Sequence, residues 1–177
     1  MLKNTIIGAA VIFVVVTLGG YLLPAKYEAS RSIDINAPLD LVFSYVNNPR
    51  KGESWSPWLA ADPTTKVTYN DVAEGQGAAY TWTGENSGEG KATITESSLN
   101  QKIVMALDFK DQGLATAVWT FTPSGSGVKA TWALQGDAGM NPLARYVGLM
   151  IDSLIGPVFE DGLTRLKKVA EEQAKAA

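Results

Sequence analysis

The apolar positions of this chain change their period twice, and the changes divide it into three stretches. From Thr5 to Leu23 apolar and small residues follow one another without a charge, behind a single Lys3. A run of that length matches the ~20 residues a helix needs to cross a ~30 Å hydrocarbon layer. From Arg31 to Gln135 short segments alternate between apolar and polar positions, the period of half-buried strands. Beyond Asn141 the period becomes helical: Leu143, Tyr146, Val147, Met150, Leu154, Val158, Leu166 and Val169 fall near one stripe that needs a broad apolar partner. Asn141 is a suitable N-cap and Pro142 a suitable first helical residue, so a helix is expected over Asn141–Gln173.

Within the middle stretch Arg31–Ile35 is the first expected strand, closed by Asn36-Ala37-Pro38. A helix follows with Leu39, Val42, Phe43 and Val46 on its buried face. Asn48-Pro49 then opens a second, short helix that must stop before Pro57, because the residue preceding a proline avoids helical angles. A loop is expected around Trp55-Ser56-Pro57-Trp58. Further strands are expected at Lys66–Asn70, Ala78–Thr83, Lys91–Ser97, Ile103–Phe109, Ala115–Phe121 and Val128–Gln135, each bounded by Gly, Asn, Asp or Pro. Connections this short join antiparallel neighbours, which makes a seven-stranded meander. In the later strands one phase is apolar, as in Ile103, Met105, Leu107 and Phe109, while the other is mixed, so one face is wet. A twisted sheet of this kind, with one long helix over its large residues, leaves a wide concave interior. Gly156-Pro157 lies inside the expected helix and predicts a kink or break there, since proline removes a backbone hydrogen bond.

Composition narrows the chemistry. The 177 residues include no histidine and no cysteine, which excludes a Ser-His-Asp hydrolase, a thiol nucleophile, disulfides and thiolate metal sites. A formal charge of −3 supplies no basic field for nucleic acid. The segment Gly84–Gly88 lies between strands and opens no helix, so it is no phosphate cradle, and neither a cofactor nor a metal is expected. Asp152, Glu160, Asp161 and Arg145 are open to two readings, a carboxylate inside an apolar cavity, or a solvated helix face or surface pair. The second is favoured because carboxylates are seldom fully buried.

Several short strings in this order resemble one family. They are Arg31-Ser32-Ile33 followed by Ala37-Pro38, then Trp55-Ser56-Pro57-Trp58, Asp62-Pro63, Gly75 and Gly77 before Tyr80 and Trp82, Ile94-Thr95-Glu96, and Gly156-Pro157 with Phe159-Glu160 and Gly162-Leu163. Together they are similar to the START-like (SRPBCC) superfamily, more narrowly its bacterial polyketide cyclase/dehydrase-like members. The resemblance implies an α+β helix-grip fold over residues 27–173, a seven-stranded curved antiparallel sheet wrapped around a long C-terminal helix. It also implies a hydrophobic cavity between sheet and helix that binds lipids, polyketides or other apolar molecules and in some members does chemistry.

Candidate lining residues follow from large apolar side chains on the two walls. Trp55 and Trp58 come from a loop and are expected at the mouth, while Tyr80, Trp82, Met105, Leu107, Trp119 and Trp132 come from the sheet. Met150, Leu154 and Phe159 come from the helix. Aromatics bring large area and a polar handle to a pocket, although plain core packing is the competing reading for each of them. Residues 1–25 are read as an N-terminal transmembrane anchor or an uncleaved signal. A cleaved signal peptide would have an apolar region of only ~7–15 residues and a better cleavage site than those around Thr17–Gly19 and Ala25. The expected partners are therefore a hydrophobic small molecule or lipid and, through residues 5–23, a membrane, with the domain on its outer side. Binding or carriage is the expected role. A cyclase/dehydrase-type enzyme and an interaction module with a vestigial cavity are the alternatives.

Overall fold

The computed structural model describes residues 2–110 and 113–176. Helix α1 (Leu2–Tyr21) leads into strand β1 (Lys26–Ile35), followed by α2 (Leu39–Asn47), a 3-10 turn (Pro49–Ser54) and α3 (Pro57–Ala61). Strands β2 (Lys66–Tyr69), β3 (Ala79–Gly84), β4 (Gly88–Ser98), β5 (Lys102–Asp108), β6 (Leu114–Ser124) and β7 (Gly127–Asp137) come next. The last helix, α4 (Pro142–Ala176), closes the chain. The sheet has seven strands in the order β1-β7-β6-β5-β4-β3-β2, antiparallel at every step. First and last strands are thus neighbours, and the segment from α2 to α3 carries the chain from one edge of the sheet to the other. A bulge between Ile94 and Glu96 adds to the bend of β4.

Local chemistry accounts for the boundaries. Asn141 Oδ1 accepts from the backbone N–H of Leu143 at 3.0 Å and of Ala144 at 3.1 Å, which starts α4 where the sequence predicts. The same Asn-Pro device at Asn48-Pro49 opens only a 3-10 turn. Where a loop is expected, Ser56 caps a further helix by accepting from Leu59 N–H at 3.4 Å, with Pro57 in its first turn. That helix is α3, and its start repeats the cap-plus-proline signal of α4. The expected break at Pro157 does not occur: α4 is helical on both sides of it.

The inner face of the sheet is the apolar phase seen in the sequence, with Ile103, Met105, Ala117, Trp119, Phe121, Val128, Ala130, Trp132 and Leu134 all buried. Val42, Phe43 and Val46 of α2 and Phe159, Leu163, Leu166 and Ala170 of α4 cover one half of it. Helix α4 lies chiefly along β1, at the edge of the sheet, and is not centred over it. The expected apolar stripe therefore divides. Its second half is core, but Leu143, Val147, Met150 and Leu154 are exposed and do not meet the sheet. The sheet-facing side of this first half is made by Gly148, Ile151, Ile155 and Gly156 instead.

Among the described residues no helix is long and apolar enough to cross a membrane. The span expected over Thr5–Leu23 falls in part on positions 5, 6, 9 and 10, whose side chains lie outside the described ones.

Candidate functional site

The strand registers sort the inner face into rows. One row crosses the sheet as Arg31, Trp132, Trp119 and Ile103, and the space above it is filled. Trp132 stacks on Trp119 with centroids 4.5 Å apart and on Phe159 of α4 at 3.9 Å, so both of its ring faces are covered. Trp55 meets Trp119 and Trp132 edge-on at 5.5 and 5.9 Å, its Nε1 donating to the carbonyl of Tyr45 at 3.2 Å. Under the second half of α4 the interior is thus an aromatic plug. The indole Nε1–H of Trp132 is buried there with no partner among the described residues, a cost on the order of 1–3 kcal/mol to the fold.

Two rows nearer the junction with α1 the inner face changes character. Tyr27, Gly136, Ala115, Leu107, Ala92 and Tyr80 form one row across the inner face, and three of the six are glycine or alanine. Small residues lower the floor here, and Tyr80, Trp82, Leu107 and Ala115 are only half-buried, as are Ile151 and Ile155 on the helix side. Beyond the plug the apolar inner face is therefore only partly covered, and this half-exposed stretch is the candidate cleft. Its far wall is an aromatic ladder, Tyr69 to Tyr80 at 6.1 Å, Tyr80 to Trp82 at 6.0 Å and Trp82 to Phe109 at 5.8 Å. Trp82 Nε1 donates to the carbonyl of Ser87, but the Tyr80 hydroxyl has no hydrogen-bond partner among the described residues. Burial pushes Tyr80 up to about 12, so at neutral pH it is a protonated donor set in an apolar wall.

The predicted site residues therefore separate. Tyr80, Trp82 and Leu107 border the cleft, whereas Trp55, Met105, Trp119, Trp132 and Phe159 are buried in or beside the plug. Trp58, Met150 and Leu154 are exposed on the outside of their helices. Trp55 and Trp58 are not a pair at the mouth, because Ser56-Pro57 turns the loop into helix α3, which leaves Trp55 buried and Trp58 exposed.

Arg31 holds the two walls at their distance. Its Nη1 and Nη2 donate to the Asp152 carboxylate at 2.7 and 3.1 Å, its Nε donates to Glu160 at 2.7 Å, and Nη1 also reaches the carbonyl of Ser30 at 2.8 Å. The Arg31 hydrogen bonds hold Asp152 below the usual carboxylate range, and those carboxylates raise Arg31 further. The guanidinium lies against Gly156, where a Cβ would stand 2.1 Å from Nη2. Gly162, likewise, lets α4 approach Pro57 and Trp132, each of which a Cβ would meet at 2.9 Å. Neither contact has a local signal in the sequence, although both leave a trace in its phase. β1 extends back to Lys26, so Arg31 occupies the same inward phase as Ala29, Ile33 and Ile35, and the α4 glycines fall on the sheet-facing side.

The remaining polar clusters are structural. Asp62, buried, accepts from Thr64 Oγ1 and N–H and from the backbone N–H of Ser87 and Asn86, which pins the β3–β4 turn and lowers its pKa. A hollow of about 360 Å³ beside it is lined by Glu53, Leu59, Asp62, Pro63, Thr65 and Val67. A larger one of about 670 Å³ lies among the outward side chains of Lys26, Lys91, Thr93, Ala106, Asp108, Leu114, Thr116, Gln135 and Asp137, and is also bordered by Leu107, Ala115 and Gly136. Asp161 pairs with Arg165 at 2.7 Å on the helix surface, as the favoured reading of these carboxylates expects. No cluster able to hold a metal ion occurs among the described residues.

Comparison with known proteins agrees with this architecture. The sequence model of a family described as polyketide cyclase / dehydrase and lipid transport matches residues 26–171. Protein Ms6760 from Mycobacterium smegmatis superposes with a TM-score of 0.57 at 19% identity, over 81% of this chain and 90% of that one. SA2116 from Staphylococcus aureus, a protein of unknown function, gives 0.64 at 10% identity over 85% and 96%. The di-domain ARO/CYC StfQ from the steffimycin biosynthetic pathway gives 0.61 at 14% identity, over 85% of this chain and 52% of that one. At these identities the likeness is one of fold. No curated protein matches the chain in sequence.

Proposed function

Because the chain belongs to the polyketide cyclase/dehydrase and lipid transport family, we propose that it binds or carries a hydrophobic small molecule or lipid in the cleft between the sheet and the first half of α4. The observation that carries this reading is the contrast along one inner face. The same sheet is sealed by stacked aromatics at one end and left half-exposed over Tyr80, Trp82, Leu107 and Ala115 at the other. Apolar surface left open inside a fold favours an apolar occupant, and an acyl chain gains about 0.8 kcal/mol for each CH₂ it buries. Tyr80, with a free and protonated hydroxyl, is suited to donate to a carbonyl or hydroxyl of that occupant.

A cyclase-type reaction draws less support. It needs a group able to take a proton from the substrate, and among the described residues the cleft borders offer only Tyr80, which stays protonated, and carboxylates already paired with Arg31.

The reading also includes anchoring. Helix α1 carries exposed Val11, Ile12, Phe13, Val14, Val15 and Leu18 on all sides, and a helix apolar all round needs an apolar medium. We read its uncharged part, Thr5–Tyr21, at the lower end of the ~17–25 residues that span a bilayer, as the anchor, and propose the outer side for the domain. Ligand binding is tested with a fluorescent fatty acid and the full chain. Leu107→Glu and Ala115→Trp should abolish uptake, the first by placing a charge on the wall and the second by filling the floor, while Trp58→Glu leaves it intact. Uptake unchanged in folded Leu107→Glu and Ala115→Trp proteins would overturn the assignment.

A further inference from the structure

The outward line of α4 changes chemistry at Pro157. Eighteen residues make five turns of an α-helix, so positions 18 apart share one face. On that face Leu143, Val147, Met150 and Leu154 of the first half correspond to Asp161, Arg165, Lys168 and Glu172 of the second. The four apolar residues are between 53% and 58% exposed. A surface helix in water is polar on its outer side, as the second half is. The first half carries only two charges, and both are taken up in contacts with other elements, although Asp152 stays half-exposed. Arg145 donates to the carbonyls of Tyr21, Leu23 and Gly139, and Asp152 to Arg31 is a closed pair.

The same half of α4 is packed against α1. The Tyr146 hydroxyl donates to the carbonyl of Val16 at 2.9 Å, and Gly19 and Gly20 bring α1 so close that a Cβ would stand 2.8 Å from Tyr146 Oη and 2.5 Å from the carbonyl of Pro142. Val16 lies more than one turn inside the C-terminal end of α1, roughly 7.5 Å along the helix axis. Arg145 closes over the end of that helix and over the ring of Tyr21, 5.8 Å from its centroid.

From this continuity we infer that the first half of α4 is a second membrane-contacting element, lying in the surface of the bilayer beside α1, so that the cleft opens onto lipid. The occupant of the stripe is the lipid bilayer, because the medium that covers α1 extends over the helix packed on it. Strand register supplies the consequence for the cleft. Its open row, Tyr27 to Tyr80, is one residue in from Lys26, where β1 emerges from α1, and the stripe lies between that opening and α1 on the circumference of α4. An apolar ligand then passes from bilayer to cleft across Ile151 and Leu154 without crossing water. This inference rests on the anchoring of α1 proposed above.

The chain has no cysteine, so single spin labels report single positions. Val147→Cys, Met150→Cys, Val14→Cys and Lys168→Cys are each labelled with a nitroxide in the full chain, reconstituted into phosphatidylcholine vesicles. Power saturation with oxygen and with an aqueous nickel chelate is then measured. The expected result is loss of nickel access at 147 and 150 as at 14, oxygen access at all three, and full nickel access at 168. Nickel access at 147 and 150 with position 14 shielded would overturn the inference and leave the anchor standing. Nickel access at 14 as well would remove the anchor and the inference together. Shielding of 147 and 150 from both reagents, with dipolar broadening between labels, would mean a second copy of the chain covers the stripe, and this too would overturn it. As a functional check, Val147→Asp combined with Met150→Asp should slow loading from vesicles and leave uptake from monomeric probe unchanged; equal loading from vesicles would also count against it.

Discussion

Replacing Phe159 by alanine asks directly whether the plug beneath the second half of α4 is core. Phe159 is 1% exposed and stacked on Trp132 at 3.9 Å. Removing its ring forfeits on the order of 100 Å² of buried apolar surface, about 2.5 kcal/mol at ~25 cal/mol per Å². Loss of the stacked pair adds about 1 kcal/mol. A cavity under a helix already pinned by Arg31 to the sheet has little room to collapse, which puts the total near the ~3–5 kcal/mol seen for phenylalanine truncations in rigid cores. For a chain of this size each kcal/mol lowers Tm by about 2–4 °C, so a fall of about 6–20 °C is expected. Thermal melts of the full chain in a mild detergent, followed by tryptophan fluorescence, read it well because Trp119 and Trp132 lie in the plug. Phe159→Leu should recover more than half of the loss. A fall of under ~1 kcal/mol for Phe159→Ala, accompanied by loss of fatty-acid uptake, would refute the reasoning, since it would make Phe159 part of a ligand cavity and not of the solid core.

Other expectations follow from single contacts. Gly156→Val should displace the Arg31 guanidinium from its seat and lower Tm, and Gly162→Val should do the same by driving α4 off Trp132; unchanged melting of either would mean the helix is free to shift. Asp62, Asp152 and Glu171 have folded pKa values below their unfolded ones, so they contribute stability above pH ~4 that is lost as pH falls from there through the folded values. Acid unfolding monitored by circular dichroism should therefore be less steep in Asp62→Asn. Tyr80 has the opposite sense on the alkaline side: its folded value of about 12 exceeds the unfolded ~10, and stability present below pH ~10 is lost as pH rises through the folded value. Tyr80→Phe should flatten that alkaline branch and weaken binding of an apolar probe with a carbonyl head more than of a plain alkane chain. Equal effects on both probes would remove Tyr80 from ligand recognition.

Much of this molecule is legible in the sequence by itself, because it depends on periodicity. Strand positions, their antiparallel order and the apolar inner phase follow from alternation and turn residues, and the start of α4 follows from Asn141-Pro142. The continuous apolar run before Leu23 is also plain. What periodicity does not carry is which half of an apolar stripe meets which surface. Leu143 and Leu166 look alike in the pattern, yet one faces outward and the other lies in the core, because β1 pairs with β7 and draws α4 to the edge of the sheet. The same pairing brings Arg31 against Gly156 and Asp152, residues more than a hundred positions apart with no local signal of their contact. Tertiary structure likewise decided that Trp119, Trp132 and Phe159 stack into a plug while Tyr80 and Leu107 stay half-open. Large side chains fill space or border it according to what stands opposite them, and only folding brings the opposite wall.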